Sequence, residues 1–157
     1  MLAASAALLA ACGGAKGSDG GGSASTAKPA ASGDPPAAAT GATVKVVSSK
    51  FGRILADRRG QAFYLFGKEK SRRSQCYGDC AKAWPPALTK AAPRAGSGAR
   101  RNLLGTTRRR DGKLQVTYGG RPLYYYHADS PGNVLCQNVS EFGGLWLVVR
   151  ANGSPVR

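Results

Sequence analysis

The chain has 157 residues and a formal net charge of +15 at pH 7, with 23 Lys and Arg residues against eight Asp and Glu residues. This length excludes more than one domain with a sizeable core, and all 12 aromatic residues fall between residues 51 and 146. Residues 42–157 hold 21 of the basic residues and six of the acidic residues, so the charge belongs to the domain itself and favours polyanions as partners.

Residues 2–11 form an apolar run that ends in Leu9-Ala10-Ala11-Cys12. This pattern resembles the bacterial lipoprotein signal, in which a peptidase cleaves before a cysteine whose sulfur then carries a diacylglycerol. The run is shorter than the roughly 20 apolar residues that span a bilayer. We therefore predict a signal peptide over residues 1–11 and a lipid anchor at Cys12, on the extracytoplasmic face of the cell membrane. The basic residues that usually precede such a run are missing, a departure that bears on the position of the start more than on the predicted signal.

Residues 12–41 are predicted to be a tether between the lipidated cysteine and the domain. They consist almost wholly of Gly, Ala, Ser, Thr and Pro and contain no large apolar residue. Such a composition cannot form a core and gives a flexible spacer that reaches tens of Å at roughly 5–6 Å × √n. The domain is therefore expected over residues 42–157.

The first part of the domain has the pattern of a three-strand meander. Residues 43–48 alternate as a half-buried strand does, residues 53–57 form a second short apolar run, and Arg58-Arg59-Gly60 turns the chain into residues 61–66. The same pattern returns at residues 103–107, 113–118 and 121–126. Asp111-Gly112 and Gly119-Gly120, which lie between these strands, suit primed hairpin turns and predict antiparallel pairing.

A sequence motif closes each of these two copies. Tyr64-Leu65-Phe66-Gly67-Lys68-Glu69 returns sixty positions later as Tyr124-Tyr125-Tyr126-His127-Ala128-Asp129. Extending the match backwards without a gap pairs further residues, including Gly60 with Gly120. We predict a mainly β fold in which two tandem antiparallel β repeats, over about residues 43–88 and 103–150, pack as one small sandwich or barrel-like domain.

The motif residues are predicted to be structural. Alternation places Tyr64 and Phe66 on one face of their strand, as it does Tyr124 and Tyr126, and it places Phe63 and Leu65 on the other face. Glu69 and Asp129 lie beyond the strand ends, where a carboxylate accepts backbone N–H groups and closes a turn. After Asp129, the sequence Pro131-Gly132 is typical of the centre of a type II turn.

The segment between the two predicted meanders contains Cys76 and Cys80, followed by Trp84 and two prolines. Asp79 is predicted to cap a short helical turn around residues 79–84, which Pro85 would stop. Trp84 and Trp146 lie at similar distances after the two motifs, so both are predicted to be equivalent anchors of the core.

Taken together, the cysteine signal, the paired tyrosine motifs, the Cys-x-x-x-Cys that leads into Trp84-Pro85-Pro86, and Phe142-Gly143-Gly144-x-Trp146 resemble one family. These are bacterial secreted-repeat lipoproteins with a conserved Yx(FWY)xxD motif and no established function. Glu69 replaces the aspartate of the first motif, and Cys136 stands where a small residue, usually glycine, is expected. The resemblance implies an exported, lipid-anchored protein and supplies no catalytic residue.

Cys76 and Cys80 are the clearest chemical pair. Export makes a disulfide the default, provided that Gly78 allows an irregular path between the two cysteines. The alternative is an envelope redox or metal-handling protein that uses Cys76 and Cys80, with Cys136 and His127 as weak further ligands. A nucleophile, base and orienter made of Cys136, His127 and Asp129 is a further hypothesis.

The basic residues cluster as Arg58-Arg59, Arg72-Arg73, Arg100-Arg101 and Arg108-Arg109-Arg110, all at predicted turns and loop ends and hence on the surface. No nucleic-acid motif is present, so we expect association with anionic wall polymers or lipid headgroups and no nucleic-acid partner. We predict a monomeric, non-enzymatic envelope lipoprotein with no catalytic residue, no cofactor and no metal.

Overall fold

The computed structural model of the protein describes residues 40–157. The predicted signal peptide, Cys12 and nearly all of the predicted tether lie outside the described residues. Among residues 40–157 there is no helix with the length and hydropathy of a membrane span.

Ten strands and two short helices make up the described residues. The strands are β1 (Thr43–Ser49), β2 (Gly52–Asp57), β3 (Tyr64–Phe66), β4 (Leu88–Thr89), β5 (Arg94–Ala95), β6 (Leu104–Arg108), β7 (Leu114–Tyr118), β8 (Arg121–Pro122), β9 (Val139–Glu141) and β10 (Gly144–Val148). The helices are α1 (Asp79–Ala83) and a 3₁₀ turn, Arg101–Leu103.

The strands form three small sheets. Their orders are β2-β1-β5, β4-β7-β6 with β8 beside β7, and β3-β10-β9. Every pair is antiparallel except the short contact of β1 with β5. Across residues 40–157 no sheet closes into a barrel. The predicted fold class, a mainly β domain of two repeats with one short helical turn, is confirmed.

Each repeat begins with an antiparallel hairpin, β1–β2 in the first and β6–β7 in the second. After β7, Gly119 and Gly120 have φ of 57° and 73°, as a primed two-residue turn requires. The primed turn predicted at Asp111-Gly112 is wrong. Arg109 N donates to Lys113 O at 2.9 Å, so three residues form the loop, and only Gly112 among them has positive φ.

The two repeats differ by one residue in the turn that precedes the tyrosine motif. In the first repeat Asp57 N donates to Gln61 O, which leaves a three-residue loop, whereas Tyr118 pairs directly with Arg121 in the second. The structural counterpart of Leu55 is therefore Val116, and the ungapped match of the two sequences fails before this turn.

The first predicted meander is wrong at its third strand, whereas in the second the start of the third strand, β8, pairs with β7 as predicted. Phe63 N still donates to Leu55 O at 3.0 Å, but β3 then leaves the β1–β2 sheet and pairs with β10 of the second repeat. In return Leu55 N donates to Val149 O, and Val116 N donates to Ala87 O, at 2.7 and 2.8 Å. The last segment of each repeat thus extends the hairpin of the other repeat, and the two repeats are interwoven.

Two apolar clusters form the core, one on each face of the central strands. The first contains Tyr64, Phe66, Tyr124, Trp84 and Trp146. The second is built around Phe63, Leu65, Leu123, Val116 and Tyr118. The division of residues between the two clusters follows the alternation of side chains along each strand.

Helix α1 begins without the predicted cap. Its N-cap residue is Gly78, with φ of 57°, and no side chain caps the helix. Asp79 lies in the first turn, and its Oδ1 accepts a bond from Lys82 Nζ at 2.8 Å on the surface. A left-handed glycine brings the chain into the helix in place of an Asp cap.

Candidate functional site

The two repeated tyrosines meet at the centre of the domain. Tyr64 N donates to Tyr124 O at 2.9 Å, and Tyr124 N donates to Tyr64 O at 3.0 Å. This reciprocal pair is the antiparallel contact at which the repeats face each other. Both tyrosines are fully buried, so neither lines a hollow that a ligand could enter.

Each tyrosine hydroxyl bonds to the acid of the other motif. Tyr64 Oη donates to Asp129 Oδ2 at 2.6 Å, and Tyr124 Oη donates to Glu69 Oε1 at 2.5 Å. We call these two contacts the crossed tyrosine–acid pairs. The second motif therefore completes the first, which explains why a tyrosine and an acid occur together in both copies.

The acids also hold the loops that follow them. Glu69 Oε1 accepts Gln75 N at 2.6 Å, and Asp129 Oδ1 accepts Leu135 N at 2.9 Å. After Asp129, Ser130 O accepts Asn133 N at 2.9 Å around Gly132, whose φ is 80°, as expected for a type II turn. Each carboxylate therefore bonds both to the tyrosine of the other repeat and to the loop that follows its own motif.

Burial sets the protonation of this network. It raises the pKa values of the Tyr64 and Tyr124 hydroxyls far above the ordinary tyrosine value, and the acceptor carboxyls raise them further. Burial also raises the carboxyl pKa values of Glu69 and Asp129, although the tyrosine bonds lower them. Both hydroxyls therefore remain protonated and act as hydrogen-bond donors. This is a structural role and not that of a group that gives up its proton.

A stack of aromatic rings joins the repeats on the same side of the core. Trp84 and Trp146 are both fully buried, and their rings lie parallel at 4.1 Å between centroids. Phe66 stacks on Trp146 at 4.2 Å, and Tyr126 lies against Trp84 at 4.8 Å. Each outer ring therefore packs on the tryptophan of the other repeat, so the aromatic residues of both motifs act as one unit.

Cys76 and Cys80 form a disulfide, as predicted. Both cysteines are buried. The bond fixes the loop before α1, and the carbonyl oxygen of Cys76 accepts Arg109 Nη2 at 2.7 Å. The disulfide thereby anchors a contact between the two repeats.

Cys136 and His127 have ordinary surroundings. Cys136 is a free, half-buried thiol that packs beside the first apolar cluster. His127 is exposed, its Nδ1 lies 3.2 Å from Ala83 O, and its ring meets Tyr126 edge-on. Asp129 is committed to Tyr64 and Leu135. Within residues 40–157, no group of three or more His, Cys, Asp or Glu side chains is placed to hold a metal ion.

The surface is strongly cationic because the domain buries half of its acidic residues. Asp57, Glu69 and Asp129 are buried, which leaves Asp79, Asp111 and Glu141 exposed. Of the 21 basic residues in residues 42–157, all but Lys45, Arg109 and Arg121 are exposed. The excess of positive charge therefore lies on the outside.

Arg109 contradicts the prediction that all the arginine clusters lie on the surface. It is buried, and its Nη1 donates to Gln115 Oε1 at 2.7 Å. Gln115 is also fully buried, and its Nε2 donates to Leu123 O at 2.7 Å. A glutamine within an apolar strand is a signal that could have indicated this buried polar pair, since such a residue needs partners.

Glu141 is a further residue that sequence reasoning missed. Its Oε2 accepts Trp84 Nε1 at 2.8 Å, and its carbonyl oxygen accepts Trp146 Nε1 at 3.2 Å. One residue of the β9–β10 hairpin therefore satisfies both indole groups of the central stack. The only signal for such a residue was general, namely that the N–H group of a buried indole needs a hydrogen-bond acceptor.

One protein family matches this chain, in the two segments that the fold interweaves. The family is described as a secreted repeat of unknown function, and it matches residues 45–88 and 105–150, more than half of the 157 residues. No curated protein and no solved structure is significantly similar to the chain. With two interwoven copies of its repeat, the chain belongs to this family of secreted repeats and is an extracytoplasmic protein.

Proposed function

We propose that the protein is a lipid-anchored, non-enzymatic component of the cell envelope, whose cationic domain associates with anionic envelope material. The single observation that carries the proposal is the distribution of charge. The acids Asp57, Glu69 and Asp129 are buried, whereas nearly all of the basic residues are exposed. Outside the cytoplasm the abundant polyanions are wall polymers and lipid headgroups, which such a surface attracts.

The absence of an enzymatic role is supported by how the polar groups of the motifs are used. Both tyrosines and both acids are buried and engaged in the crossed tyrosine–acid pairs. A redox role for Cys76 and Cys80, the alternative function, has less support, because these residues are only 0% and 7% exposed. Reactive dithiols are usually accessible to their partners.

The lipid anchor is tested by labelling. We expect the full-length chain, expressed in a lipoprotein-processing bacterium with an alkyne fatty acid, to carry the label and to sediment with membranes. The Cys12→Ala variant should lose both properties while Cys136→Ala keeps them. Equal labelling of wild type and Cys12→Ala would contradict the anchor.

The association is tested with the full-length chain carrying Cys12→Ser, so that a lipid does not contribute. We expect it to co-sediment with purified anionic cell wall at about 50 mM salt and to be released at about 500 mM, where the Debye length falls to a few Å. Walls from which anionic polymers have been removed are the control. Equal binding to both wall preparations would refute the proposal.

A further inference from the structure

A basic groove of about 640 Å³ lies between the two repeats. Its lining includes Arg73, Arg108 and Arg110 together with the hydroxyl-bearing side chains of Ser71, Ser74 and Tyr77. No carboxylate lines it. We call this feature the arginine groove.

The walls of the arginine groove come from different repeats. Residues 71–77, after the first motif, form one wall, and residues 108–110, at the turn of the β6–β7 hairpin, form the other. The disulfide at Cys76 fixes the first wall. Arg109, which points inward, joins the walls through its 2.7 Å bond to Cys76 O. The disulfide and the buried Arg109 therefore hold the two walls of the groove against each other.

Tyr77 adds a second connection between the walls. Its hydroxyl accepts Arg110 N at 3.1 Å. The guanidinium carbons of Arg109 and Arg110 lie 4.4 and 4.1 Å from the centre of its ring. Cation–π contacts of this kind hold an arginine in place while leaving its N–H groups free for a further partner.

The donors of the groove have few partners inside the protein. Among the described residues, the side chains of Arg73 and Arg110 make no hydrogen bond or salt bridge to another group. Arg108 donates from Nη1 to Gly112 O at 2.8 Å. The carboxylate of Asp111 lies 3.8 Å from buried Arg109 Nε and outside the groove lining.

Two other basic hollows are less suited to an anion. The hollow of about 470 Å³ beside Arg58, Arg59 and Arg94 also contains Asp57, whose carboxylate lies 3.6 Å from Arg59 Nε. The hollow of about 250 Å³ beside Lys68 and Lys70 has apolar residues such as Leu145 in its lining. The arginine groove combines the larger volume with unpaired guanidinium groups.

We propose that the arginine groove, through Arg73, Arg108 and Arg110, binds the phosphate groups of an envelope phosphodiester polymer. The guanidinium fork matches the oxygens of a phosphate in two-point contacts. The Ser71 and Tyr77 hydroxyls are additional donors, whereas the Ser74 hydroxyl already donates to Gln115 Oε1 at 2.6 Å. A polymer strand fits the concave groove, whereas a flat bilayer surface does not enter it. This site deepens the proposed association with anionic envelope material and rests on it.

The test compares two triple variants with the same loss of charge. Arg73→Gln/Arg108→Gln/Arg110→Gln removes the groove, and Arg100→Gln/Arg101→Gln/Arg150→Gln removes three exposed arginines elsewhere. Both are made in the full-length Cys12→Ser chain, and near-UV circular dichroism confirms folding. Binding of a fluorescent poly(glycerol phosphate) oligomer is measured by anisotropy. We expect the dissociation constant to rise at least about tenfold in the groove variant and about two- to threefold in the control.

Further probes separate the possible failures. Inorganic phosphate should compete with the oligomer for the wild type and should have little effect on the residual binding of the groove variant. If both triple variants lose the oligomer equally, the groove is refuted while the general association stands. If the groove variant loses binding to phosphatidylglycerol vesicles and not to the oligomer, the polymer is refuted. A wild-type chain that binds no polyanion refutes the association itself.

Discussion

The tyrosine of each motif donates a hydrogen bond from its hydroxyl to the carboxylate of the other motif, inside the core of the domain. Hydrogen bonds to charged acceptors contribute more than neutral ones, and a buried carboxylate left without its donor carries a desolvation cost. The replacement of Asp by Glu at position 69 is compatible with this role, because Glu69 still reaches Tyr124 and Gln75. The two motifs are therefore complementary, because each supplies the acid that accepts the hydrogen bond of the other motif's tyrosine.

We predict that Tyr64→Phe lowers the free energy of unfolding by about 2–3 kcal/mol, because Asp129 then loses a donor while it remains buried. Tyr124→Phe should have a similar effect through Glu69. Tyr125→Phe is the matched control, since the Tyr125 hydroxyl makes no hydrogen bond within residues 40–157, and it should change stability by less than about 0.5 kcal/mol. Urea unfolding at pH 7 measures all three. A Tyr64→Phe effect no larger than that of the control would count against the crossed pair.

Acidification should stabilise the wild type through Glu69. Burial raises the pKa of this carboxyl in the folded protein above its value in the unfolded chain. The folded state then binds more protons between the two pKa values, so this stabilisation is complete below the unfolded pKa and lost as the pH rises through the folded one. We expect the stability difference between wild type and Glu69→Gln to shift in favour of the wild type between pH 7 and pH 5. Urea unfolding at both pH values measures it, and a shift in the opposite direction would contradict the raised pKa.

Residues 108–110, where β6 ends and the hairpin loop begins, alternate between surface and core. Arg108 and Arg110 are exposed, whereas Arg109 is 4% exposed and bonds to Gln115 and Cys76. The sequence shows three identical residues in a row, and composition cannot tell which one turns inward.

We predict that Arg109→Met lowers the free energy of unfolding by about 2–4 kcal/mol, because two buried acceptors each lose a donor. Arg108→Met and Arg110→Met provide neighbouring controls and should change stability by less than about 1 kcal/mol. Guanidinium chloride unfolding of the three variants tests this order. Equal effects would mean that the side chain of Arg109 does not join the repeats in solution.

The strands of the two hairpins, the short helix and the two faces of the tyrosine segments could be predicted because alternation and turn residues are local signals. The pairing of β3 with β10 could not, since it joins residues about eighty positions apart and no local pattern encodes the partner. Gly144 shows the same limit. A side chain there would meet the Phe66 ring and come within 2.9 Å of Lys68 N, so packing requires glycine at this position. The sequence alone does not show this requirement, because the contacts form only in the folded domain.

The candidate sites divide in the same way. The disulfide followed from export and from two nearby cysteines, whereas the arginine groove depends on two loops that only the tertiary structure brings together. Its residues were visible as basic clusters at Arg72-Arg73 and Arg108-Arg109-Arg110. The chain order gave no reason to connect them.

At the scale of the whole molecule, neither repeat buries its own core. The stack of Phe66 on Trp146 and the pairing of β4 with β7 both join different repeats. We predict that fragments 40–99 and 100–157 each lack near-UV circular dichroism when separate and recover it when mixed in equal amounts. Dilution of the mixture should abolish the signal. A fragment with native-like tryptophan dichroism alone would contradict the interwoven arrangement.

The reciprocal contact of Tyr64 with Tyr124 has a consequence for how such a protein can arise and assemble. A protein with a single copy of the repeat would contain a tyrosine, an acid and a tryptophan whose contacts only a second identical molecule could supply. Two identical molecules related by a dyad axis through that contact would reproduce the present core, and gene fusion would then convert the dimer into one chain. Conversely, two present-day chains at high concentration have the complementary surfaces needed to exchange halves.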